Sequence, residues 1–142
     1  MVNRRGVALL VLTFAVGSAC EAKPPTSPTA DLSGRWEGTI ESATDGTGTL
    51  RLELTQAGMR VQGSLHLTQS GISEVSGTLI GTLASASFPT TMQYTVSYEY
   101  GFQCQGTFSG TLTVAGHEAE GPYSGQNCVH MFEGRLRATK SN

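Results

Sequence analysis

The sequence predicts an all-β domain folded as an eight-stranded antiparallel up-and-down β-barrel, and three observations lead there. Outside the first twenty residues no window sustains a helical period, while successive stretches alternate apolar and polar residues in twos, as a strand with one buried face does. A Gly-x-apolar triplet recurs, at Gly38-Thr39-Ile40, Gly48-Thr49-Leu50, Gly63-Ser64-Leu65, Gly77-Thr78-Leu79, Gly81-Thr82-Leu83, Gly106-Thr107-Phe108, Gly110-Thr111-Leu112 and Gly134-Arg135-Leu136. Its first and third residues share a face, so small and large side chains alternate inward, which fits the taper of a small closed barrel. Short turns between regular short strands favour a meander over a Greek key. A β-sandwich of similar strands is the alternative.

The first strand, residues 34–42, places Gly34, Trp36, Gly38 and Ile40 on one face, and Thr44-Asp45-Gly46 supplies the turn. The second, 48–56, turns Leu50, Leu52 and Leu54 inward and Arg51 and Glu53 outward. After the tight turn at Ala57-Gly58, the third strand, 60–67, buries Val61, Gly63, Leu65 and Leu67. The fourth spans about 73–83 through Val75, Gly77, Leu79, Gly81 and Leu83. Pro89 then demotes 84–91 to an edge, a bulge or a loop, with a ninth strand open at 85–90. Alternation returns with Met92, Tyr94, Val96, Tyr98 and Tyr100 on one face. The stretch from Cys104 to Cys128 forms a hairpin: Gly106, Phe108, Gly110, Leu112 and Val114 face one way, the chain turns at Ala115-Gly116-His117, and Ala119, Gly121, Tyr123 and Gly125 return. Folding back near Gly116 sets Cys104 and Cys128 almost opposite each other, within disulfide range. The last strand, 129–139, turns Phe132, Gly134, Leu136 and Ala138 inward.

Ahead of this domain, residues 1–20 place Arg4 and Arg5 before an apolar run from Gly6 to Val16, followed by small residues. That order describes an export signal, and the run is too short to span a membrane. Gly17-Ser18-Ala19-Cys20 resembles a bacterial lipobox, with Gly17 where Leu is usual. The resemblance implies acylation of Cys20 and membrane attachment through it, and it leaves Cys104 and Cys128 as a pair in a chain of three cysteines. Glu21, in place of Asp after the cysteine, implies outer-membrane sorting in a two-membrane bacterium, facing the periplasm. Ordinary cleavage after Ala22, which would release a soluble protein, is the alternative. Residues 21–33 carry three of the five prolines and read as a tether, with the barrel domain at 34–140.

Charge excludes one class of partner. Loss of Arg4 and Arg5 from nine basic residues leaves seven against eleven acidic ones, net −4. That supplies no basic face for nucleic acid.

Gly34-Arg35-Trp36 is similar to the G-x-W of lipocalins and related calycin barrels. The resemblance implies a lipocalin- or avidin-like barrel in which a basic residue of the last strand, Arg135 or Arg137, covers Trp36 near the floor. The second lipocalin motif, T-D-Y, is absent. With Trp36-Glu37-Gly38-Thr39 near the front and a late cysteine pair, residues 34–139 also resemble small Gly/Thr-rich bacterial lipoproteins without assigned activity.

Catalytic signals are weak. His66, His117 and His130 have no ligand spacing, and the cysteines form no C-x-x-C. No G-x-S-x-G elbow and no phosphate-cradling loop occurs, and Glu118 and Glu120 read as a solvated rim. The expectation is a non-enzyme without catalytic residue, metal or cofactor. The aromatic set Trp36, Tyr94, Tyr98, Tyr100 and Tyr123, with Phe102 beside it, is the candidate ligand site, since tyrosine joins apolar area to a polar tip. Core packing is the bland account of the same residues. The function expected is a cell-envelope lipoprotein that binds a small apolar ligand or a protein partner. Inhibition of a lysozyme or protease through loops 101–103, 115–118 or 126–128 is the second reading. A third is an integral outer-membrane barrel with Arg35, Glu53 and Arg137 inside.

Overall fold

Period-two patterning folds, in a computed structural model that describes residues 30–69, 72–98 and 100–141, into eight strands and no other regular element. The export signal 1–20 with Cys20, and tether residues 21–29, lie outside the described residues. The strands are β1 (Gly34–Ser42), β2 (Gly46–Ala57), β3 (Arg60–Gln69), β4 (Ile72–Thr82), β5 (Ser87–Ser97), β6 (Gln103–Ala115), β7 (Glu118–Gln126) and β8 (Met131–Lys140). Each pairs antiparallel with its sequence neighbour, and β8 returns to β1 to close the barrel, from Ser42↔Gly134 to Trp36↔Lys140. The sandwich alternative and the ninth strand both fall away. Two-residue loops join β2 to β3 and β6 to β7, and each opens on a glycine with left-handed φ, +61° at Gly58 and +60° at Gly116. Glycine takes that conformation without steric cost.

Inward positions hold one apolar core. Leu50, Leu52, Leu54, Val61, Leu65, Val75, Leu79, Met92, Phe108, Leu112 and Leu136 are all buried. Outward positions carry the charge, with Arg35–Glu53, Arg51–Glu37 and Arg137–Glu120 bridging neighbouring strands at 3.3, 3.4 and 3.2 Å. Such exposed pairs contribute little stability, but they fix which face meets water. An integral membrane barrel needs the reverse arrangement, an apolar belt outside, and that reading is overturned.

Small and large residues alternate around the barrel as well as along it. Tyr94 pairs with Gly77 on β4 and Gly106 on β6, and Tyr123 with Gly110 on β6 and Gly134 on β8. A Cβ at Gly134 would collide with the Glu41 carbonyl and the Tyr123 hydroxyl. The glycine lets the curled sheet close and gives the ring its space.

Pro89 is built into β5 opposite Thr111, while the β4 ladder ends one residue short, at Gly81↔Thr90. It therefore has a ladder on one side only, the edge-like place a proline tolerates. Phe88 and Thr90 beside it are buried, so β5 starts at Ser87 rather than Met92.

The floor also differs from expectation. Leu32, which the sequence reading placed in the tether, is 1% exposed and packs in the core. Its carbonyl accepts the Trp36 Nε1–H at 2.8 Å, and its N–H donates to Gln56 Oε1 at 2.7 Å. A buried indole needs an acceptor, and the incoming chain supplies one. Arg135 and Arg137 are exposed and do not cover Trp36. The basic residue in register with it is Lys140, whose Nζ donates to the Asp31 carbonyl at 2.8 Å. Strand parity decides this: Leu136 and Ala138 are buried, so residues 135 and 137 must point out.

Candidate functional site

An up-and-down meander sends alternate loops to opposite ends. The β1–β2, β3–β4, β5–β6 and β7–β8 connections therefore share one end, opposite the Leu32–Trp36 floor. That end holds a cavity of about 390 Å³. That is within the usual size of small-molecule pockets, and its apolar wall with a few convergent polar groups is their usual make-up. Its body is aromatic. Phe108 lies 5.3 Å from Tyr123 and 5.7 Å from Tyr94 between ring centroids, and Phe132 lies 6.1 Å from Tyr123 and 6.4 Å from Tyr94. All four pairs are tilted, as the ring quadrupole favours. Ile40, Leu67, Val75 and Val96 complete the wall.

A polar cluster stands at the mouth. His130 Nε2 is 2.9 Å from Asp45 Oδ1 and 3.1 Å from Oδ2, joining the β7–β8 loop to the β1–β2 turn. Ser42 Oγ also reaches Asp45 Oδ2 at 3.4 Å, and Gln69 Nε2 donates to the Asp45 carbonyl. Asn127 Oδ1 accepts the N–H groups of Val129 and His130 at 2.8 and 2.9 Å, which shapes the loop that presents the imidazole. Cys104 and Cys128 anchor the same loop as a disulfide pair, Cα atoms 5.9 Å apart, and the Cys128 N–H points at Cys104 Sγ at 2.9 Å.

Burial tunes the two deeper tyrosines. The Tyr94 hydroxyl is held well above the ordinary phenol range by burial first, then by Tyr98 and Asp45, against a lowering hydrogen bond with Asn127. Tyr123 is pushed up to about 12, again chiefly by burial and with Asp45 adding, against a hydrogen bond with Ser42. Its hydroxyl donates to the Glu41 carbonyl at 3.2 Å. A phenol in this surrounding stays neutral, because its anion would lose hydration beside a carboxylate.

Of the five aromatics singled out in the sequence, Tyr94, Tyr98 and Tyr123 line this cavity and two do not. Trp36 is 1% exposed at the far end, fully used by the floor. Tyr100 is 97% exposed. The alternation that would carry it inward ends at Ser97, where the chain turns, with the Tyr98 N–H donating to the Phe102 carbonyl at 2.9 Å. Phe102 leaves its ring 5.8 Å from that of Tyr98 at the rim. Phe108, Phe132, Asp45 and His130 are cavity residues that sequence reading did not assign to a site. His66 is exposed near Glu74, and His117 lies in the β6–β7 loop at the floor end. Glu120 is taken by Arg137 on the outer face. A larger hollow of about 1270 Å³ lies open on the outside of the sheet near Ile80, Pro89 and Thr111. It encloses nothing.

No protein-family model matches the chain, and no curated protein matches it by sequence. A solved structure does resemble it: a redesigned β-barrel, mFAP1, bound to DFHBI. The likeness has a TM-score of 0.54 at 12% identity and covers 78% of this chain and 94% of that one. At that identity it shows the shared barrel fold.

Proposed function

We propose that this protein is a non-catalytic binding barrel of the bacterial cell envelope, held to the membrane through acylated Cys20, with its cavity open to a small, largely apolar ligand. The observation that carries the binding half is the cavity itself. A barrel of this size can fill its interior with its own side chains, and this one keeps a cavity of about 390 Å³ toward one end. The wall offers aromatic faces, and the mouth offers orienting polar groups. The fold neighbour mFAP1, bound to DFHBI, lends support as a barrel of like shape that accepts a small molecule. The envelope half rests on the export signal, the lipobox-like Gly17-Ser18-Ala19-Cys20 and the proline-rich run after it.

Native mass spectrometry of the protein extracted from its own envelope fraction tests this reading. A bound species of a few hundred daltons is expected on the order of pocket-sized ligands. Thr44→Trp, a replacement at the exposed rim of the cavity, should remove it. An unliganded protein that also takes up no neutral aromatic probe would refute the binding half. Processing is read separately: Cys20→Ala should shift the protein from the membrane pellet to the soluble fraction.

Exposed Tyr100, Phe102, Val129 and Met131 around the mouth favour a second reading, a protein partner seated over the same opening. Loops 101–103 and 126–128 of the inhibitor reading lie at this end, whereas 115–118 lies at the other. A lysozyme and protease inhibition panel decides it, and no inhibition removes that form of the reading.

A further inference from the structure

The polar cluster at the mouth narrows the ligand class. Resting on the binding reading above, the geometry points to a monocationic amphiphile, an amine or quaternary ammonium carried on an aromatic or apolar body, with its charge at Asp45. Four observations converge on this. First, among the described residues that line the cavity Asp45 is the one carboxylate, and no Lys or Arg accompanies it. The imidazole of His130 is the one other ionisable group there besides the tyrosines, and it is charged only when protonated. With His130 neutral the described lining residues carry a single negative charge.

Second, the Asp45 carboxylate is half-buried and partly unsatisfied. Its oxygens meet His130 and Ser42 Oγ. A carboxylate has about four acceptor sites, so capacity remains for a donor on the ligand. Third, the Tyr123 hydroxyl spends its proton on the Glu41 carbonyl, so this lining phenol has no proton left to offer an anion. Fourth, the rings of Tyr94, Tyr98, Phe108, Tyr123 and Phe132 line the same cavity as the carboxylate. Aromatic faces attract cations, and more strongly where water is excluded. Among the described lining residues an anion would meet Asp45 and phenol oxygens with no Lys or Arg to offset them. The site is built to reject one.

Three probes of one size test the assignment by isothermal titration at pH 8: 1-naphthylmethylammonium, 1-naphthylmethanol and 1-naphthoate. The ammonium should bind about tenfold or more tightly than the alcohol, as a hydrogen bond to a charged partner allows, and the carboxylate should not bind. Asp45→Asn keeps the shape and the Ser42 contact. It should erase the ammonium's advantage, so that ammonium and alcohol bind alike. His66→Gln, an exposed site outside the cavity, should leave the preference unchanged. Equal binding of ammonium and alcohol by the native protein would overturn the cationic class and leave the cavity reading standing. Binding of none of the three would overturn both.

Discussion

Replacing Cys128 by Ala should cost the barrel about 3.5 kcal/mol, and the figure follows from where the bond lies. The two cysteines are 24 residues apart, and closing a loop of that length removes about this much chain entropy from the unfolded state. The native side loses little, because Cys128 is exposed in the 127–130 connection while Cys104 is the buried partner and is left intact. For a domain of this size roughly 4 °C accompanies each kcal/mol, so the melting temperature should fall by roughly 10–15 °C. Calorimetric melts of the native protein, of the native protein under reductant and of Cys128→Ala form the assay. The last two should coincide. The loss should also loosen the loop that carries His130, so affinity for an aromatic probe should weaken in parallel. A melting temperature within about 2 °C of the native value, with or without reductant, would refute the argument, because so small a shift is under 1 kcal/mol.

Other expectations follow from the same packing. Leu32→Ala should destabilise the fold by about 2–5 kcal/mol, as large-to-small core changes do, and red-shift the emission of Trp36; a surface-like cost would place the start of the domain at Gly34. Gly134→Ala should cost about 1–3 kcal/mol, since its Cβ must displace the Glu41 carbonyl and crowd the Tyr123 hydroxyl; a melt equal to the native one would contradict the close approach. In alkaline titration followed at 295 nm, Tyr123 should ionise at about 12 rather than at 10.0. The sign follows from linkage: the raised native value contributes stability that is full below 10 and is lost as pH rises through 12, because the unfolded chain releases its proton first. A Tyr123→Phe variant with an unchanged titration curve would sink that assignment.

Most of the barrel was legible because alternation is a local signal with a fixed period. β1 was read with its observed bounds, and Leu50, Leu52 and Leu54 point inward as their spacing requires. Boundaries failed where a single residue carried two messages. Pro89 reads as a strand breaker, yet the end of the β4 ladder makes room for it, and nothing local reports that. Tyr100 continues a period whose backbone has already turned, and the signal was the Gly101 that follows, at φ +80°.

The site was half legible for a different reason. Tyr94, Tyr98 and Tyr123 stood out by residue type, whereas Asp45 and His130 lie 85 positions apart, the one in an ordinary turn and the other read as the start of the last strand. Barrel topology could have joined them. In a closed meander of eight strands the β1–β2 and β7–β8 connections lie at the same end and are separated only by the β8–β1 seam. Leu32 was missed because one leucine in a proline-rich run has no period to betray it; the buried Trp36, needing an acceptor for its indole N–H, was the available hint.

The account depends on unfilled space above Phe108. A crystal structure of the mature chain grown with 1-naphthylmethanol tests that directly. It should place the naphthalene among Tyr94, Phe108, Tyr123 and Phe132, with its hydroxyl toward Asp45. Side chains meeting across that volume, with the probe excluded or bound only on the outer sheet, would contradict it.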